Sequence, residues 1–139
     1  MRKFKFNLEK VMQLREFKEE ECKIALGQAI SILNMIENEI KETALKRHNA
    51  AIRRFADVVE TIAWENYILR LDQHAQMLTE KAAQAQMVVE EKRALYLEAQ
   101  RDLKTIENLK EKRQKEYRKE MLNYEMAEID DLTAARSFL

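Results

Sequence analysis

The chain has 139 residues, one glycine and no proline, with 36% of its residues charged and a formal net charge of zero. With both of the strongest turn formers almost absent, long helices of the coiled-coil type are expected, and a compact core with many loops is excluded. Balanced charge rules out a global field toward nucleic acid or an anionic membrane, so any electrostatic partner surface must be local.

The lone Cys22 excludes an intrachain disulfide and fits a reducing compartment, which makes the cytoplasm the expected location. The N-terminus lacks a signal-peptide core, and no stretch approaches about 18 continuous apolar residues. Neither unaided secretion nor a membrane span is expected.

Asn7 is placed to accept from the free amides of a first helical turn. Leu8, Val11 and Met12 then begin an apolar stripe. The stripe continues through Ala25, Ala29, Ile32, Ile36 and Ile40 and thins at Ala44, Ala51 and Ile52. Its spacing near three and four predicts one amphipathic helix.

Asp57 followed by Glu60 has the form of a capping box at a helix start. The chain is therefore expected to reverse near Phe55 to Thr61. Beyond it, Leu71, Ala75, Leu78, Ala82, Ala85, Val89, Lys92, Tyr96, Ala99, Leu103 and Ile106 follow unbroken alternating steps of four and three. Such a seven-residue repeat specifies a left-handed coiled-coil seam.

The expected fold is all-α: an antiparallel two-helix coiled-coil hairpin with an overhanging C-terminal helix end. Residues 1–139 form one such hairpin, with helix 1 at about 7–54, a turn at about 55–61 and helix 2 at about 62–135. Residue 4 then comes opposite roughly residue 110, leaving about the last twenty residues without an intramolecular partner. That overhang changes sign along its length: Lys110, Lys112, Arg113, Lys115, Arg118 and Lys119 precede Glu120, Glu125, Glu128, Asp130 and Asp131.

No constellation of convergent polar groups suggests catalysis. His48 and His74 have no Cys or His at ligand spacing, and no glycine-rich loop is present to cradle a phosphate. No enzyme activity, metal or cofactor is expected. The basic cluster alternates with glutamates and has only Tyr117 for stacking, so nucleic acid is not an expected partner. Two aromatic pairs stand out. Trp64 and Tyr67 either close the hairpin tip or contact a partner; Tyr117 and Tyr124, one heptad apart, either pack in a dimer or insert into another protein.

Four segments together resemble one family. "FKFNLEKVMQLREFKEEECKIALGQA" (residues 4–29), "WENYILRL" (64–71), "IENLKEKRQKEY" (106–117) and "EIDDLTAARSF" (128–138) are similar, in the same order, to motifs of the flagellar FliJ family. The resemblance implies a non-enzymatic, stalk-like coiled coil of the flagellar type III export apparatus. It would bind the flagellar export ATPase ring, the transmembrane export-gate protein and export chaperones, as a monomer when free, and associate peripherally with the membrane-bound apparatus. Matched to this sequence, the ATPase-facing end would comprise Phe4, Phe6, Leu8, Val11, Leu14, Leu109, Arg113, Asp130, Asp131 and Arg136, with Tyr117 and Tyr124 on the overhang. The gate-facing candidates are Trp64, Tyr67 and Leu71. Two other readings remain: the equivalent stalk of a virulence type III secretion system, and a structural spacer that homodimerises through the seam from Leu71 to Ile106.

Overall fold

The structure is a computed structural model that describes residues 3–53 and 57–137. It is all-α, with two helices, α1 (Glu9–Ile52) and α2 (Val58–Ser137), packed as an antiparallel pair. The fold divides into two compact units. The first joins residues 1–20 to 98–139, and the second spans residues 21–97.

In the second unit, α2 begins directly after Asp57. The Asp57 carboxylate accepts from the Val59 amide at 3.2 Å, and its carbonyl accepts from Thr61 N at 3.0 Å, so Asp57 is the N-cap. Residues 58–61, expected in the turn, therefore form the first turn of α2. Phe55, also expected there, lies outside the described residues.

The α2 seam turns inward position by position from Leu71 to Tyr96, with Leu78 and Val89 its most buried members at 1% and 2% exposure. Across from it, Leu26, Ala29, Ile30 and Leu33 pack with Ala82, Ala85 and Val89.

The α1 stripe differs from the expected one. Its inward residues in this unit are Cys22, Leu26, Ala29, Leu33, Ile36, Ile40, Thr43 and Ala50, with Ala25 and Ile30 half-buried beside them, whereas Ile32, Ala44, Ala51 and Ile52 are exposed. These inward positions keep the four-and-three alternation if Arg47 is counted between Thr43 and Ala50. The bidentate Arg47 bond to Asp72 holds that step on the seam's edge. Because Asp72 bonds and attracts it, the guanidinium is held charged above its ordinary pKa. A group raised in this way contributes its stability throughout the range below its unfolded pKa, so the bond is no switch near neutrality.

In the first unit, Leu8, Met12, Arg15 and Glu19 carry the α1 seam, and Ala99, Leu103 and Ile106 the α2 seam. Past Ile106 the seam runs through Lys110, Gln114, Tyr117 and Met121, with Leu109 half-buried beside it. Two successive steps of four interrupt the heptad there, a stutter that locally unwinds a coiled coil.

Gly27 lies inside α1 with no atom within 4 Å of where a Cβ would stand. Gly27→Ala should therefore raise stability by about 1 kcal/mol, the difference in helix propensity, read as a higher midpoint in thermal circular dichroism. Leu78→Ala should instead lower it by about 2 to 5 kcal/mol, because it removes a buried side chain from a seam with few alternatives. A midpoint unmoved by Leu78→Ala would contradict the seam assignment.

Candidate functional site

The end carrying the termini is built on an apolar cluster. Phe6, Met12 and Ile106 are buried together, and Phe4, Leu8, Val11, Leu103 and Leu109 pack on them. Residues 3–6 are not helical. An extended chain covers about 3.3 Å per residue against 1.5 Å in a helix, so this strap reaches farther along α2 than a helix of equal length. Phe4 accordingly meets Tyr117, at 5.6 Å between ring centroids and 48° between planes, rather than residue 110.

Polar bonds fix the strap and the first turns of α1. Asn7 Oδ1 accepts from Arg113 Nη1 at 2.9 Å instead of capping its own helix. Lys110 Nζ lies 3.0 Å from a Glu9 carboxylate oxygen, and Arg15 Nη1 donates to the Asp102 carbonyl at 2.8 Å. These contacts are largely exposed, so the one ion pair among them, Glu9 with Lys110, is worth at most about 1 kcal/mol. Their value lies in setting the register of the strap on α2.

The expected ATPase-facing residues thus fall into two groups. Phe6 is buried, and Phe4, Leu8, Val11, Leu109 and Tyr117 are half-buried in the packing just described. Leu14, Arg113, Tyr124, Asp130, Asp131 and Arg136 are exposed, Leu14 to 69% and Tyr124 to 53%. Tyr124 lies one heptad beyond Tyr117 on the same face of α2 and is exposed because no described residue of α1 or the strap covers α2 beyond Met121.

Every described residue from 122 to 137 is exposed. Within this projecting end Leu122, Met126, Ile129 and Leu132 are all at least 60% exposed. The sequence reading passed over them by extending the heptad through Tyr117 and Tyr124. Their own spacing of four, three and three was the available signal.

In the second unit, Trp64 is half-buried and its Nε1 donates to the Ala50 carbonyl at 2.6 Å. This bond gives the Ala50 carbonyl, which also accepts from Arg53 N at 3.2 Å, a second donor in the last turn of α1. Lys46, Asn49, Ala50, Arg53, Trp64 and Tyr67 line an open cleft beside it. Tyr67 is exposed at the cleft, and Leu71 is buried in the seam. Nearby Ile52, Val58, Val59 and Ile62 are exposed.

No cluster of three or more His, Cys, Asp or Glu fit to hold a metal occurs among the described residues. No described helix is long and apolar enough to cross a membrane.

These features define a class: a two-helix coiled-coil hairpin whose second helix outruns the first and ends in an exposed, charged segment. Residues 4–139 match the family model described as "Flagellar FliJ protein", and the chain belongs to that family. Membership makes it a component of the flagellar protein export apparatus, in a family of non-enzymatic export proteins. No curated protein and no solved structure matches the chain.

The strap supplies a test of this geometry. Phe6→Ala should release residues 3–8, read as faster backbone amide exchange there and in the first turns of α1, with amides of residues 60–90 unchanged. Unchanged exchange at the strap would show that Phe6 does not hold it.

Proposed function

We propose that this chain acts as the central stalk of the flagellar export machinery, with its C-terminal end inserted in the export ATPase ring. The observation that carries this reading is the stretch of α2 beyond Met121, which is helical through Ser137 yet exposed at every described residue. A helix of this length exposing large apolar residues is stabilised chiefly when another surface covers them.

In this reading the expected contact residues have separate tasks. Leu14, Tyr124, Asp130, Asp131 and Arg136 present side chains that a ring can touch. Phe6, Leu8, Val11 and Leu109 support them by fixing the strap against α2, and Arg113 and Tyr117 tie the strap to the base of the projecting end. At the other end, Tyr67 and the cleft beside Trp64 are the surface offered to the transmembrane export-gate protein. Leu71 supports that surface from within the seam. Export chaperones are the third partner class, and the chain reaches the membrane peripherally through these contacts.

Because each seam is satisfied within the chain, the free protein is a monomer in this reading. Light scattering on the full chain checks it, and a stable dimer indifferent to the ATPase would favour the spacer reading.

A truncation after Met121 keeps the Phe4–Tyr117 contact and the Asn7–Arg113 bond. It should retain the parent's thermal midpoint to within a few degrees and lose co-elution with the flagellar export ATPase. Retained co-elution would exclude the projecting end as the ATPase-binding element.

A further inference from the structure

The projecting end carries a chemical pattern that the stalk role does not itself require. Leu122, Met126, Ile129 and Leu132 lie along one edge of the helix and are exposed. Around them stand Glu120, Glu125, Glu128, Asp130 and Asp131, all exposed. No base lies three or four places from any of these five in sequence, so the helix offers them no internal ion pair.

The pattern also works against the isolated helix. Glu125 with Glu128, and Glu128 with Asp131, are like-charge pairs three residues apart, which weaken it. The sign change is abrupt, because Lys119 closes a run rich in lysine and arginine immediately before Glu120.

These charges discriminate among occupants of the apolar edge. A second copy laid antiparallel with the two edges facing sets Leu122 against Leu132 and crowds both sets of carboxylates into one stretch. A parallel copy places each carboxylate beside its own counterpart. Both arrangements stack like charges and are disfavoured. An anionic bilayer surface repels the same carboxylates.

We infer that the apolar edge of residues 122–132 is received by a protein groove with an apolar floor and a rim of lysine and arginine. The carboxylates steer the end into the groove, and the leucine, methionine and isoleucine side chains hold it there. The identity of the groove's owner as the export ATPase rests on the function proposed above; the chemistry of the groove rests on this surface.

Steering and holding separate kinetically, since charges at a rim act mainly on association and buried apolar anchors on dissociation. The experiment is biolayer interferometry of the full chain on immobilised cognate flagellar export ATPase across a salt series. One variant combines Glu125→Gln, Glu128→Gln, Asp130→Asn and Asp131→Asn; another combines Leu122→Ala and Ile129→Ala. The neutralised variant should associate about tenfold more slowly at low salt, with a flattened salt dependence and the parent's dissociation rate. The apolar variant should dissociate at least about tenfold faster and keep the parent's salt dependence.

All substituted positions lie outside the packed part of the chain, so both variants should keep the parent's helical circular dichroism. The neutralised one should gain slightly in thermal midpoint. Parent-like association and salt slope in the neutralised variant, or parent-like dissociation in the apolar one, would overturn the inference. The truncation after Met121 is run alongside. If it still binds, the assignment of this end to the ATPase fails; if it does not bind while the neutralised variant behaves as the parent, only the groove chemistry fails. A dimer of the free chain that Leu122→Ala with Ile129→Ala dissolves would give the edge to a second copy and overturn the inference as well.

Discussion

Everything in this fold depends on one narrow seam. Each helix has one main inward line, so apart from the strap anchored by Phe6 most side-chain burial comes from the meeting of those two lines. Leu78 and Val89, at 1% and 2% exposure, are the most completely buried large side chains. Around them the seam is built largely of alanine, which lets the backbones approach but contributes little apolar area per turn. Stability is therefore spread along the length, and each large seam residue matters more than it would in a globular core.

From Leu71 to Ile106 the α2 seam was legible from sequence because its inward positions are almost all apolar, with Lys92 the single charged member. The α1 seam was not. Arg15, Glu19, Cys22, Thr43 and Arg47 occupy its repeat positions, while Leu14 and Ile32 sit one residue away and face solvent. An apolar stripe drawn by eye is pulled toward those neighbours, a displacement of about 100° around the helix. Long polar side chains are tolerated on the seam because their stems pack while their ends reach water or a partner, as Arg15 does at the Asp102 carbonyl.

The two ends of the second helix were legible to different degrees for the same reason. Asp57 announces its helix start through chemistry local to a few residues, and its carboxylate accepts the Val59 amide accordingly. The projecting end depends instead on how far the rest of the chain reaches along α2. Tyr117 and Tyr124 share one face, but the strap covers only Tyr117, through Phe4, a contact between residues far apart in sequence that no local pattern encodes. The strap's extended conformation is a second nonlocal effect. Its anchors, Phe4 and Phe6, were among the contact residues the family resemblance implied, but their reach along α2 follows from backbone geometry.

Asn7 and Arg113 close a loop of 106 residues, whereas Trp64 and Ala50 close one of 14. By loop-closure entropy alone, joining the more distant pair first costs about 2 kcal/mol more than joining the nearer one. Chain assembly is therefore cheapest as a zipper that starts beside Asp57 and runs toward the termini, each closed turn shortening the next gap. Such a zipper frays from the end where it finishes. The Phe4 ring, the Asn7–Arg113 bond and the Glu9–Lys110 pair all stand at that end, where they act as its catch.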